Sequence, residues 1–296
     1  MPELWLNYGS TDIIVDLKVE NLSLVENSKF DILNSEILDQ EIESIQIGDA
    51  TTLVPLDASN STVQLVSKLV ALAEARGIKL SIESIPKARK QLSNKLQNQN
   101  IGNIDNNGEH FQGLVKDKNT IFVSKTNIDP FFGYSGTPVT LLREFEQDKM
   151  NEAFKSRTDN FPHPALNGPP IEVANKLCEG MNAKSVEITS NNSGINNVFY
   201  GEILQSFHNA IKNLERLAIE DEQELKSLIV GTNTDTNSSS TLSSSLSLLW
   251  NSVNVLKRNA IVVIVSENNK GFGAMALEKF AYGEIKLEDY KNSTMN

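Results

Sequence analysis

The feature that most constrains the fold is a strand–helix–strand unit between residues 51 and 84. TTLVPL has the composition of a short strand, and the helix predicted to begin at Asn60 or Ser61 carries a broad apolar face. Gly77 is placed to end that helix, and IKLSIES follows as the next strand. Because two parallel strands are joined by a crossover of this length, the unit predicts a parallel sheet.

The rest of the chain repeats this alternation. ELWLNYG and DIIVDLK predict an N-terminal hairpin, TIFVSK and AKSVEIT predict strands, and AIVVIVSE predicts a strand buried on both faces. Residues 90–112 are polar and predict a helix followed by a solvated loop, whereas leucines at helical spacing predict a helix in the Ser-rich segment 238–257. Residues 159–170 are a Pro- and Gly-broken connector.

We therefore predict an α/β fold of two domains, with parallel or mixed sheets flanked by helices and a cleft between the domains. Residues 1–218 form the first α/β domain in this prediction, and residues 219–296 form a smaller one.

Charge and composition exclude some partners. The net charge of −11 argues against nucleic acid, which needs a basic surface. MPELWLNYGS has neither the basic region nor the apolar core of a signal peptide, and no segment has the roughly 18 apolar residues of a membrane span. We expect a cytoplasmic protein without a membrane partner. Cys178 is the single cysteine, which excludes an intrachain disulfide. Its apolar neighbours in the sequence predict a buried side chain.

The segment NIDPFFGYSGTPVTLLREF (127–145) predicts a strand-to-helix turn, with Thr137 as the helix cap and Pro138 in the first turn. Its GYSGT sequence is one residue away from G-x-S-x-G, in which a serine is the nucleophile. A hydrolase built on Ser135 would also need an acid and a later histidine. The later histidines are His163, in the connector, and His208, within a helical pattern, so this hypothesis is the weakest of those considered.

Phosphate and metal motifs are sparse. GYSGTP lacks the sequence of a phosphate-binding P-loop. Gly271-Phe272-Gly273 follows a predicted strand and precedes a predicted helix, so its backbone N–H groups could bind an anion, although a tight turn is the commoner use of such a sequence. His110 is expected at the surface. Three scattered histidines and one cysteine have no metal-ligand spacing, and no metal site is predicted.

The order of several segments resembles the nickel-pincer-dependent lactate racemase family over about Leu4 to Gly273. These segments are LWLNYG, the unit after DATTLVPLD, the FGYSG turn, the Asn-Gly-Pro connector, VFYGEILQSFHNAI and the GFG ending. The resemblance implies two α/β domains with the active site between them. It also implies a nickel pincer nucleotide tethered to a lysine, which takes a hydride from a 2-hydroxy acid while two histidines exchange the hydroxyl proton.

The resemblance carries over to the turn residue by residue. Asn127, Gly133, Tyr134, Ser135 and Gly136 match the family pattern. The reactive positions of the turn do not match, because the histidine position holds Asp129, the tether lysine position holds Val139, and the nickel-ligating histidine would fall near Lys155.

Elsewhere, Asp57 and Ser59 match an Asp-x-Thr-Arg motif of the family, and the arginine position holds Asn60. A family histidine has no counterpart in IESIPKARK, and a family lysine falls within 243–247, where no lysine stands. The resemblance therefore implies the family's scaffold without its tether, its nickel ligand or its proton-transfer histidines.

We predict a lactate racemase-like protein without pincer-dependent racemisation, which binds a small anionic ligand in the cleft or has a regulatory or interaction role. The alternative is an active 2-hydroxy-acid racemase with an untethered nickel cofactor or substituted bases. Asp129 and Ser135 are the candidate catalytic residues. The candidate ligand-binding residues are Asp57, Ser59, Asn60, Gly133, Tyr134, Gly136, Gly271 and Gly273. The cofactor, the oligomeric state and any protein partner stay open.

Overall fold

A computed structural model describes residues 3–8, 11–16, 31–97, 99–104, 108–129, 132–156, 168–191, 193–218, 225–231, 241–252 and 256–292. The chain divides into two compact units. The larger comprises Asn27–Arg157 and Pro164–Ile219, and the smaller comprises Met1–Glu26, Thr158–His163 and Glu220–Asn296. The predicted domain division lies beside the boundary at Ile219, whereas the N-terminal segment, predicted to belong to the first domain, groups with the C-terminal one.

Strands and helices alternate along most of the chain. The strands are β1 (Glu3–Tyr8), β2 (Thr11–Asp16), β3 (Thr52–Pro55), β4 (Ser81–Ser84), β5 (Ile101–Asn103), β6 (Thr120–Lys125), β7 (Asn127–Asp129), β8 (Gly133–Ser135), β9 (Lys184–Ser190), β10 (Ile195–Glu202), β11 (Leu225–Gly231) and β12 (Leu256–Val265). The helices are α1 (Ser35–Glu43), α2 (Asn60–Ala75), α3 (Pro86–Lys95), α4 (Gly108–Lys116), α5 (Thr137–Phe145), α6 (Gln147–Lys155), α7 (Pro169–Cys178), α8 (Ile203–Ala218), α9 (Leu242–Ser252), α10 (Met275–Ala281) and α11 (Leu287–Asn292).

The larger unit is built on a six-stranded sheet in the order β10-β9-β6-β3-β4-β5. All neighbours are parallel except β9 and β10, which are antiparallel. The predicted unit at 51–84 is confirmed as β3–α2–β4, because Thr52 and Leu53 pair in parallel with Ser81 and Ile82. The α/β class predicted from the sequence is confirmed.

Strand order fixes where a ligand would be expected. From β3 the chain adds β4 and β5 on one side and then returns to add β6 and β9 on the other. The carboxyl ends of β3 and β6 therefore border the point at which the strand order reverses. In open α/β sheets, ligands bind at such a point, outside the carboxyl ends of the strands.

The region 90–112 differs from its prediction. Instead of a loop after α3, the chain forms β5 and most of α4. Ile101, Ile104 and Phe111 are almost fully buried in the main core, so a few well-spaced apolar side chains are enough to anchor both elements. The prediction was wrong because polar composition dominated the pattern.

In the smaller unit, β1 and β2 form the predicted hairpin, and β11 pairs in parallel with β12, with α9 between them in sequence. The prediction that AIVVIVSE is buried on both faces was wrong, because Ile261 is 68% exposed and Val263 is 48% exposed. These two residues share one face of a sheet of only two strands, and that face is uncovered by the described residues.

Two further predictions concern the connector at 159–170 and membrane-spanning segments. Most of the connector at 159–170, with His163, lies outside the described residues, and α7 begins at Pro169. Among the helices that are described, none is long and apolar enough to cross a bilayer.

Candidate functional site

Asp57 joins the carboxyl ends of the two central strands. It follows β3, and its Oδ1 accepts hydrogen bonds from the Ser59 N–H at 2.9 Å and the Thr62 hydroxyl at 2.7 Å. Its Oδ2 accepts a hydrogen bond from the Lys125 N–H, at the end of β6, at 2.8 Å. One carboxylate therefore fixes the first turn of α2 against the end of β6.

Hydroxyl groups surround the start of α2. Ser59 caps the helix, because its Oγ accepts a hydrogen bond from the Thr62 N–H at 3.3 Å. The Ser59 and Ser61 hydroxyls lie 3.1 Å apart, and the Ser190 hydroxyl, at the end of β9, donates to Ser61 Oγ at 2.9 Å. The predicted residues Asp57 and Ser59 thus lie in one hydrogen-bonded group, and sequence analysis did not identify Ser61 or Ser190.

A lysine from α3 lies beside Asn60, where the resemblance implies an arginine. Lys95 Nζ donates to Asn60 Oδ1 and to the carbonyl oxygen of Ala58, both at 2.8 Å. Asn60 carries no charge of its own, and Lys95 places a positive charge at the N-terminus of α2.

Lys125 is a further residue of this edge that sequence analysis did not identify. In the parallel register it pairs with Ile188, which shares its face of the sheet with Ser190, so Lys125 lies on the side of α2. The side chain is half-buried, and no described residue forms a hydrogen bond or ion pair with its ammonium group. Burial lowers the pKa of Lys125, and the nearby Asp57 carboxylate opposes that effect. A lysine at the end of an apolar strand was the available sequence signal.

In the turn at 127–137, the Ser135 hydroxyl is bonded to the backbone and not to a described histidine. β7 and β8 form a short hairpin in which Ser135 pairs with Asn127, and the Ser135 hydroxyl donates to the Asn127 carbonyl oxygen at 3.4 Å. Within the described residues this is its single hydrogen-bond partner. His208 lies 3.4 Å from the Asn175 amide instead, so no described histidine forms with Ser135 the pair that a hydrolase needs.

Gly133 and Tyr134 shape the same turn. Gly133 has a φ of 88°, a conformation that glycine adopts without strain. The Tyr134 hydroxyl donates to Glu215 at 3.0 Å, and burial, with the Glu215 charge, raises the pKa of Tyr134 well above its usual range. Both residues therefore have a structural explanation, and their role in ligand binding stays a prediction.

Asp129 holds the turn closed. It is 8% exposed, its Oδ1 accepts a hydrogen bond from the Phe132 N–H at 3.0 Å, and its Oδ2 accepts one from the Arg143 guanidinium at 2.8 Å. The guanidinium also lies 4.6 Å from the centre of the Phe132 ring. These contacts favour a structural role, and the predicted role of Asp129 as a base has no support from its geometry.

We expect the contributions of Asp129 and Arg143 to the free energy of unfolding to depend on each other. The changes Asp129→Asn and Arg143→Met, alone and combined, should give a coupling energy of about 1–3 kcal/mol, because removing either partner leaves the other uncompensated. Urea unfolding of the four proteins measures it. A coupling near zero would show that the ion pair does not hold the turn.

Glu187 is another residue that sequence analysis did not identify. It is fully buried on β9. Its Oε2 accepts a hydrogen bond from the Thr126 hydroxyl at 2.7 Å, and its Oε1 accepts one from the Thr137 N–H at 3.0 Å. Helix α5 is capped at Gly136 and not at Thr137 as predicted, because this carboxylate from another strand satisfies the first N–H group.

Burial, with a smaller contribution from the Asp57 charge, raises the pKa of Glu187 to about 7, against the lowering effect of hydrogen bonds from Thr137 and Thr126. Its ordinary value is 4.5. The stability that the neutral carboxyl contributes is therefore complete below about pH 4.5 and is lost as the pH rises through about 7.

Glu187→Gln should remove this pH dependence, since glutamine stays neutral. Urea unfolding at about pH 5 and about pH 8 should show wild-type stability falling by up to a few kcal/mol, and the variant changing much less. The exposed control Glu109→Gln should behave like the wild type. Equal pH slopes in wild type and Glu187→Gln would contradict this assignment.

The Gly271–Gly273 turn presents carbonyl groups to a helix. The carbonyl oxygens of Gly271 and Phe272 each accept a hydrogen bond at 2.9 Å, from the N–H groups of Leu242 and Ser243 in the first turn of α9. A Cβ atom at Gly273 would overlap the Thr241 side chain. The turn thus completes the start of α9, and its predicted role in anion binding stays a prediction that this geometry does not favour.

The residues present do not fit a tethered nickel nucleotide. Val139 is fully buried in a core cluster with Phe132, Leu142 and Ile171, so its position offers neither an amine nor an open side. No three His, Cys, Asp or Glu side chains gather into a metal-binding group in the part of the chain that is described. Burial raises the pKa of Cys178 to about 12, which makes it a poor thiolate ligand.

Comparison with known proteins supports the fold. No family model and no curated protein sequence matches the chain. Among solved structures, the lactate racemase apoprotein from Thermoanaerobacterium thermosaccharolyticum matches with a TM-score of 0.70 at 13% identity, covering 98% of this chain and 80% of that one. The chain is therefore a mixed α/β protein with a lactate racemase-like fold, as the order of its segments predicted. At this identity the likeness shows the fold alone.

Proposed function

We propose that this protein binds a small anionic ligand, a carboxylate or a phosphate ester, at the carboxyl edge of its sheet between β3 and β6. We further propose that it does so without racemisation through a tethered nickel pincer. The observation that carries the proposal is Lys125, whose half-buried side chain has no hydrogen-bond or ion-pair partner among the described residues and whose backbone N–H donates to Asp57, just before α2.

Local charge favours an anion at this edge despite the acidic chain. The 16-residue helix α2 directs the positive end of its dipole to the edge, and helix N-termini bind phosphate and carboxylate groups through their N–H groups. Lys95 and Lys125 supply two positive charges near Asp57, whose oxygens accept hydrogen bonds from three donors. Ser61 and Ser190 supply hydroxyl groups at the same place.

The proposed ligand is a small molecule and not a nucleic acid, because the net charge of the chain is −11. It also includes the cytoplasmic location expected from the sequence. An active 2-hydroxy-acid racemase is the alternative, and the loss of the tether at Val139 counts against its usual form.

Thermal unfolding at constant ionic strength tests the proposal. Inorganic phosphate and lactate, each compared with chloride, should raise the Tm of the wild type, because a ligand that binds the folded state stabilises it. The rise should be lost in Lys125→Ala and kept in Lys184→Ala, which removes the same charge from the amino end of β9. Equal stabilisation of both variants would place the anion elsewhere, and racemisation of lactate by the purified protein would support the alternative.

A further inference from the structure

We propose that two copies of this chain associate by placing the β1–β2 hairpin of one copy on the exposed face of the β11–β12 sheet of the other. The inference concerns the smaller unit and is independent of the proposed anion site. It assigns an interface to two apolar surfaces that are exposed in the single chain.

The first surface is one face of the hairpin. Trp5 pairs with Ile14 across the two strands, and these side chains are 62% and 54% exposed. Asp12 and Asp16 lie on the same face as Ile14, because alternate residues of a strand point to the same side, and both are exposed. An exposed Trp–Ile pair between two carboxylates has the composition of a protein interface, with an aromatic centre and a polar rim.

The second surface is the face of β12 that carries Ile261 and Val263. Both side chains are exposed, and they pair with Ser227 and Ile229 of β11 in the parallel register. Parallel sheets are almost always covered on both faces. The exposed apolar side chains of this parallel pair therefore indicate a surface that is covered by a partner.

The hairpin of the same chain does not cover these side chains. β1 packs against β11 and β12, yet Trp5, Ile14, Ile261 and Val263 all stay exposed in that arrangement. Burial of the four side chains against one another consequently needs a second hairpin and a second sheet, which another copy of the chain supplies.

Charge makes the two surfaces complementary. β1 and β2 contain three acidic residues and no Lys or Arg, whereas β11 and β12 contain three basic residues and no Asp or Glu. Lys226 directly precedes Ser227, and Lys257 and Arg258 precede Ile261 on β12. All three basic side chains are exposed. A basic sheet in a chain with a net charge of −11 is matched by the acidic hairpin of the same chain.

These charges select the pairing. Hairpin against hairpin would bring carboxylates together, and sheet against sheet would bring cations together, and both arrangements are repulsive. Hairpin against sheet joins opposite charges around the apolar side chains. A two-fold axis allows this contact to form twice, once in each direction, so the assembly closes as a dimer.

Sedimentation velocity of the full chain over a concentration series tests the interface. We expect a monomer–dimer equilibrium that high salt weakens, because the rim charges are screened. Trp5→Ser and Ile261→Ser should each weaken association roughly tenfold or more, since each removes a central apolar side chain. Met275→Ser, which changes an exposed apolar side chain of α10, should leave association unchanged. A monomer at every concentration, or a dimer that Trp5→Ser and Ile261→Ser leave unchanged, would overturn the inference.

A charge-reversal experiment tests the pairing of hairpin with sheet. One variant carries Asp12→Lys and Asp16→Lys, and the other carries Lys226→Glu and Arg258→Glu. Each variant alone should associate roughly tenfold more weakly than the wild type or worse, because its hairpin and sheet have like charges. An equal mixture of the two should recover a dimer, since each hairpin then meets a sheet of opposite charge. Circular dichroism checks that both variants are folded, and two folded variants that stay monomeric when mixed would contradict the pairing.

Discussion

Gly136→Ala should cost roughly 3 kcal/mol or more of unfolding free energy, at the upper end of overpacking effects. A Cβ atom at this position would lie 2.5 Å from the Phe207 ring and 3.0 Å from Glu187 Oε2. Phe207 is fully buried, and Glu187 is fixed by two hydrogen bonds, so neither can move without disturbing the packing of α5 on α8. Urea unfolding measures the loss.

Gly113→Ala is the matched control. Gly113 lies within α4, and no atom lies within 4 Å of the position where its Cβ would be. Alanine there should leave stability unchanged or raise it by up to about 1 kcal/mol, since alanine favours helix. If Gly136→Ala were as stable as Gly113→Ala, the close approach of Phe207 to the turn would be wrong.

Asp57→Ala should have the second largest effect, about 3 kcal/mol, because three donors lose their acceptor at once. Those donors are the Ser59 and Lys125 N–H groups and the Thr62 hydroxyl. Asp57→Asn retains an acceptor oxygen and should cost less. Thermal and urea unfolding should both show this order.

Asp49→Ala removes an exposed carboxylate as a control and should leave stability within about 0.5 kcal/mol of the wild type. An Asp57→Ala protein with wild-type stability would show that Asp57 does not join α2 to β6. Stabilisation by phosphate should also fall in Asp57→Ala, because the start of α2 would no longer be fixed beside Lys125.

Local patterns explain how much of the fold could be predicted. The unit at 51–84 determined the parallel sheet, since the helix spacing of its apolar residues and the Gly77 stop are encoded in adjacent residues. β5 was missed because a three-residue strand has too few residues to show a period. The exposure of Ile261 depends on how many strands its sheet has, which the apolar run of β12 does not encode.

The residues of the proposed site could be singled out from the sequence only where a local pattern marks them. Asp57 and Ser59 were singled out because they match part of a motif of the resembling family, and both lie at the start of α2, while their role in ligand binding stays a prediction. Glu187 and Lys125 were missed because their importance arises from strand pairing, which brings them beside Thr137 and α2 across the sheet. Asp129 was predicted as a base, but its partner Arg143 lies on the following helix and satisfies it.

The most direct test of the central claim is a crystal structure of the protein grown or soaked in inorganic phosphate. We expect phosphate within hydrogen-bond distance of Lys125 Nζ and the first N–H groups of α2, with Val139 enclosed in its core cluster. Phosphate bound elsewhere while this edge holds only water, or a nickel nucleotide bound to the chain, would contradict the account.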